Sequence, residues 1–175
     1  NRKSLIIGFS ETVIYSGLNR PIEIGYLNPI SSHLEIELNN RLNFNGNANS
    51  NAVWQIHFDS FFKDRFRFSG NYLIDEFVLD KDIELGKEHV KAYSMRLAYS
   101  TPFSISDGSL FTMYGAIINV GTPTFRHRSG TNNFVHNGTP LGWFKGSDGK
   151  DLYIGANYFN LNNLVISIST GIFES

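Results

Sequence analysis

The sequence predicts an all-β chain: an antiparallel meander forming an outer-membrane β-barrel or a large fragment of one. Three observations predict it. Long stretches alternate apolar and polar residues with period two, the mark of strands with two unlike faces. Most of these stretches are joined by short turns rich in Gly, Asn and Asp, which is how antiparallel neighbours are connected. Aromatic residues make up 14% of the chain, with Phe the commonest of them, and such side chains suit a pleated surface.

The strands are justified in order. SLIIGFSETVIY (Ser4 to Tyr15) reads as a strand and is broken by SGLNRP. HLEIELNNRL (His33 to Leu42) puts Leu34, Ile36, Leu38 and Leu42 on one face, with Glu35, Glu37 and Arg41 on the other. An Asn-rich turn over 43–51 follows. VWQIHFDSFF (Val53 to Phe62) sets Trp54, Ile56, Phe58 and Phe62 against Gln55, His57 and Asp59. After the turn KDR, FRFSGNYLI sets Phe66, Phe68, Tyr72 and Ile74 against Arg65, Arg67, Ser69 and Asn71. An acidic connection beginning at Asp75 leads to KAYSMRLAYSTPF (Lys91 to Phe103), where Tyr93, Met95, Leu97 and Tyr99 oppose Ala92, Ser94, Arg96 and Ala98. SISDG carries an Asp-Gly turn signal. Ser109 to Gly121 is a strand of weaker alternation. DLYIGANYF, NLNN and LVISISTGIF form a last hairpin. The whole of 1–175 reads as one β-barrel segment, expected to belong to a longer barrel.

The strands run about 9–13 residues, against about 5–6 in soluble sheets and about 9–11 for a strand that crosses a membrane. Alternation alone fits two arrangements. A soluble barrel turns its apolar face inward; an outer-membrane barrel turns it to lipid and keeps a polar lumen. The charges favour the second. Glu35, Glu37, Arg41, Asp59, Arg65, Arg67 and Arg96 carry both signs on adjacent strands, as pairing across a lumen requires. Glu11 and Asp75 join them as expected lumen-lining acids.

Other classes are disfavoured. The net charge is -1 with a pI near 6.6, which offers nucleic acid no basic field. Cysteine is absent, so there is no disulfide or thiolate chemistry. No run approaches the roughly 20 apolar residues of a membrane helix. His127 and His136 stand nine positions apart without a third ligand, which is not metal spacing. Asp75 and Glu76 are adjacent, so on a strand they face opposite ways and do not form the carboxylate pair that glycoside hydrolysis needs. No cofactor, metal or catalytic residue is expected.

One segment stands apart. Gly121 to Asp148 is far longer than the usual connection of about 4–6 residues, and it shows no strand alternation. Arg126, His127, Arg128, Asn133 and His136 offer hydrogen bonds suited to sugar hydroxyls, and the two arginines suit sugar carboxylates. Trp143 offers a stacking ring, as do Phe134 and Phe144. The other reading is that the loop folds inward and plugs the barrel.

The pieces SETVIYSG, YLNPI, YLIDEF and TPTFRHR…FVHNGTPLGWFKGSD, in that order and over most of the chain, resemble the capsule assembly Wzi family in its Bacteroidetes form. The resemblance implies an outer-membrane β-barrel of a Gram-negative bacterium, in contact with outer-membrane lipid. It implies lectin-like binding and anchoring of capsular or other extracellular polysaccharide, without catalysis. The competing expectations are a porin-like channel, a soluble β-barrel holding a small apolar ligand and, last, an enzyme acting on glycans.

Overall fold

The computed structural model describes residues 4–16, 24–28, 30, 50–75, 90–104, 108–127, 130–160 and 164–175. Its strands are β1 (Ser4–Tyr15), β2 (Ser50–Phe62), β3 (Phe66–Ile74), β4 (Lys91–Ser104), β5 (Ser109–Val120), β6 (Val135–His136), β7 (Thr139–Pro140), β8 (Gly149–Phe159) and β9 (Val165–Glu174). Short 3₁₀ turns occupy Ile24–Leu27 and Gly130–Asn132. Seven strands form one antiparallel sheet in the order β1-β2-β3-β4-β5-β8-β9, while β6 and β7 make a separate small hairpin.

The expected meander is present, but the described residues form an open sheet rather than a closed barrel. Its edges are β1 and β9. Ser4 lies opposite Phe61 and Val165 opposite Phe159, so both edge strands start at the same end and run the same way. They therefore cannot close the ring by pairing antiparallel with each other. The strand expected over 33–42, with Glu35, Glu37 and Arg41, lies outside the described residues, and β1 pairs directly with β2.

Register fixes two faces. Phe9, Ile56, Tyr72 and Tyr93 stand in one cross-strand row; Ile7, Phe58, Gly70, Met95, Ile117, Leu152 and Ile172 stand in the next. This face is apolar from edge to edge, and no part of the described chain covers it. Ile7, Phe9, Ile56, Met95, Leu97, Met113, Ile154 and Ile168 are all exposed. The opposite face carries Gln55, His57, Asp59, Arg67, Asn71, Ser94, Arg96, Tyr114, Asp151 and Tyr153. The buried core is small and lies on this polar side: Ala92, Val120 and Trp143, with Leu73, Ile118 and Phe125 packed against them. That explains the weak alternation of β5, because Ile118 and Val120 are polar-face positions that meet the long loop.

Connections differ at the two ends. β2–β3 turns over Lys63 and Asp64, both at positive φ (50° and 58°), and β4–β5 and β8–β9 are also joined by short segments. A register irregularity at Pro102/Ser104 ends the β4 ladder, the kind of place where a strand proline is tolerated. At the other end the connections from β1, β3 and β5 are long.

On the polar face Gly155 leaves room for the Tyr114 ring, whose tip occupies the place of a Cβ; the Ile168 carbonyl is 2.9 Å from that same point. Gly155→Val is expected to destabilise the sheet by about 1–3 kcal/mol through overpacking. Adding Tyr114→Ala should recover part of that loss, since only one of the two clashes is removed. The shift of the urea midpoint in single and double variants measures both.

Candidate functional site

The long loop is folded onto the polar face and tied to the sheet at its root, middle and end. At the root, the backbone N–H of Gly121 and the hydroxyl of the fully buried Thr124 both donate to the Lys91 carbonyl, at 3.0 and 3.1 Å. Phe125 then takes a positive φ of 69°, strained for an aromatic residue. Its N–H donates to Asp75 Oδ2 at 2.6 Å. Asp75, expected to line a lumen, is a buried acid that holds the loop in this conformation. Thus YLID and TPTF, 50 residues apart, form one structural unit.

The middle reaches the far edge of the sheet. Asn132 is fully buried, and its Oδ1 accepts from the Ser16 N–H and hydroxyl, both at 2.8 Å. The Ser16 hydroxyl also lies 2.6 Å from the Thr131 carbonyl. Ser16 directly follows β1, whereas the loop springs from β5, so it spans the polar side between the two.

Inside the loop, Asn133 Oδ1 accepts from the His127 N–H at 2.7 Å. Phe134 is buried, its ring 5.7 Å from that of Phe125. His136, Asn137, Gly138 and Thr139 then form the β6–β7 turn, with Asn137 and Gly138 at φ 49° and 77°. Two successive positive φ values are the signature of an Asn-Gly hairpin. The loop shows no strand alternation because each strand of this hairpin is only two residues long, but the Asn-Gly signal stands in its sequence.

At its end, Trp143 is buried against Ala92 and Val120, with the Phe173 ring 5.7 Å away. Its indole Nε1 has no hydrogen-bond partner among the described residues. Lys145 Nζ lies 4.1 Å from the Phe173 ring centroid and pairs with Asp151 at 2.7 Å, pinning the loop to β8 and β9. Trp143 and Phe134, offered by the sequence as sugar-stacking rings, are thus packed into the protein. Phe144, 74% exposed, is the ring left open. Arg126 is exposed, with Nε on Ser147 Oγ at 2.7 Å. His136 and Asn137 are exposed at the hairpin tip, and His127 is half-buried. Arg128 lies outside the described residues.

On the wall below, Asp59 and Arg67 form a two-pronged ion pair at 2.9 and 2.6 Å. Gln55 donates to Asn71 at 2.8 Å and Asn71 to Ser94 at 3.1 Å, linking three strands. Arg96 sits over the Tyr114 ring at 4.2 Å. Two expected lumen residues belong elsewhere. Glu11 lies opposite Trp54, so alternation puts it on the apolar face near its end. Arg65 is in the β2–β3 turn and donates to the Tyr99 hydroxyl, on the apolar side, at 3.2 Å. Glu11 and Asp75 are therefore on opposite faces and cannot act as a carboxylate pair. Among the described residues no three His, Cys, Asp or Glu side chains gather into a metal site.

Searches against protein-family models, characterised proteins and solved structures found no match to this chain.

Asp75→Ala removes the acceptor that stabilises Phe125, and Asn132→Ala removes the tie to Ser16. Each is expected to free the loop locally at a cost of about 1–3 kcal/mol. Trypsin should then cut after Arg126 at least several-fold faster than in the parent. The digestion rate at that bond, followed by mass spectrometry, measures the effect.

Proposed function

We propose that this chain is part of the wall of an outer-membrane β-barrel in a Gram-negative bacterium, and that it binds and anchors capsular or other surface polysaccharide without altering it. One observation carries the membrane part. The broad face of the sheet is apolar and uncovered by the described residues, while the polar face carries the folded loop. A soluble barrel would bury the first and expose the second. Lipid is the solvent that suits such a face.

Dimensions and borders support this. From Tyr93 to Phe103 the outward face of β4 spans ten steps; at about 3.3 Å each and a tilt of about 40°, that is about 25 Å, the height of a barrel's apolar band. Aromatic rings collect at both borders. Phe62 stacks on Phe66 at 5.3 Å, Phe66 meets Tyr99 at 4.9 Å and Phe103 meets Tyr158 at 5.5 Å near the short turns. Trp54, Tyr72 and Tyr93 lie toward the long loops. In such barrels short turns are periplasmic and long loops extracellular, so we assign the rim bearing the long loop to the cell exterior.

The polysaccharide part rests on the exposed group of Arg126, His136, Asn137 and Phe144 on a well-anchored scaffold, and on the motif resemblance to the Wzi family. Fixed donors and an open ring suit sugar hydroxyls and sugar faces. A wide porin-like pore fits less well, because the loop is tied from β1 to β9 across the polar side.

The two tryptophans separate the membrane reading from its soluble rival. In the full parent protein reconstituted in vesicles, with any tryptophans beyond these two replaced and then Trp143→Phe or Trp54→Phe leaving one indole each, brominated lipid should quench Trp54 strongly and Trp143 little. Equal protection of both would mean that the apolar face is a protein core. For the glycan, Arg126→Gln combined with His136→Ala should lower the capsule retained on washed cells several-fold, read by anti-capsule labelling, while the barrel's heat-dependent gel shift is unchanged.

A further inference from the structure

We propose that the polar wall below the loop carries a subsite for the carboxylate of an acidic sugar, built on Arg96. It rests on the polysaccharide reading above and names the class of sugar that reading leaves open.

Among the described arginines on the polar face of the strands, charge accounting singles out Arg96. Asp59 and Arg67 neutralise each other in a fork of two short hydrogen bonds. Lys145 and Asp151 do the same, and Asp75 is engaged at the loop root. Arg96, exposed at mid-strand on β4, meets no carboxylate among the described residues; its contact there is the Tyr114 ring, 4.2 Å from the guanidinium carbon. Its nearest cross-strand positions are Ser69 and Ala116, both uncharged.

The contact with Tyr114 is what makes this arginine a site rather than a loose charge. The ring attracts the cation at 4.2 Å without occupying its N–H donors as a carboxylate would. Tyr114 is itself held, because its tip fills the space above Gly155 and its ring meets Tyr153 edge-on at 6.2 Å. An arginine fixed in this way loses little freedom on binding, and its fork matches a carboxylate with two parallel hydrogen bonds.

The surroundings suit a sugar ring rather than a bare anion. Ser94 is the next residue on the same face of β4, and the chain from Ser94 to Asn71 to Gln55 continues across β3 and β2. With strands about 4.8 Å apart and same-face neighbours about 6.6 Å apart, this neutral track extends to roughly 16 Å from Arg96. The amides have hydrogen-bonding capacity left after their mutual bonds, so hydroxyls beside the carboxylate find partners.

The test uses the full parent protein in detergent micelles and two probes, oligogalacturonate as the acidic glycan and dextran oligosaccharide as the neutral one, with binding measured by calorimetry. Arg96→Gln is expected to weaken oligogalacturonate by about tenfold or more and to leave dextran unchanged. Arg96→Lys should recover only part of the loss, since it keeps charge without the fork. Tyr114→Ala should weaken the acidic probe while keeping the arginine, which marks Tyr114 as a positioning residue. Inorganic phosphate at equal concentration should compete poorly. The proposal is overturned if the parent does not bind oligogalacturonate, if Arg96→Gln binds it as the parent does, if both glycans weaken equally, or if phosphate displaces the glycan fully. Carbonate washing of membranes tests the barrel reading separately: a chain that washes off defeats that reading, while the acidic-to-neutral contrast still decides Arg96.

Discussion

The constraint on which this molecule depends is the inversion of its sheet. Strand register places Leu, Ile, Phe and Met side chains in continuous rows on one face, and the chain packs its loop against the other. Burying a side chain of this kind is worth about 1.5–3 kcal/mol, and more than a dozen of them are exposed. The sum exceeds the whole net stability of an ordinary domain, about 5–15 kcal/mol. Nothing among the described residues covers this surface. The small core of Ala92, Val120 and Trp143 lies on the other face, where it seats the loop.

The loop meets the problem that follows. A polar face covered by a loop must satisfy its own donors and acceptors, and so must the long irregular segment laid over it. The two do so jointly at a few points. Asp75 accepts from Phe125, Lys91 supplies a carbonyl to Gly121 and Thr124, and Asn132 receives Ser16. Each joins residues distant in sequence, so the loop's shape is set by the sheet. Lys145 shows the same economy at the other end, because one ammonium serves both Asp151 and the Phe173 ring.

How much of this was legible in the sequence depended on whether local pattern or tertiary register decided the matter. VWQIHFDSFF and FRFSGNYLI declared their strands and faces directly, since period-two alternation is a backbone property. SLIIGFSETVIY was harder. Ile6 and Ile7 are both apolar, so the strand has no clear polar face at its start, and only pairing with β2 reveals that Glu11 stands beside Trp54. Arg65 was misread because alternation was extended into a turn, where it does not apply. Trp143 was undecidable in kind: a ring that stacks on sugar and a ring that seats a loop look the same until Ala92 and Val120 are found beneath it. Asn137-Gly138 was legible and went unread.

The division of charge on the polar side gives these details a common logic. An arginine that loses water is costly unless a partner offsets the loss. Arg67 has Asp59, close enough for a charge-assisted fork. Arg96 has an aromatic face instead, which attracts the cation by about 0.5–2 kcal/mol but satisfies none of its N–H donors. A wall selected for stability alone would pair both arginines with carboxylates. Pairing one and presenting the other on a ring keeps a positive charge in a fixed orientation at mid-height, with neutral amides and a hydroxyl alongside it. That arrangement gives up local electrostatic stability and gains a directed donor pair. The trade is physically sensible where an anion arrives from outside the chain.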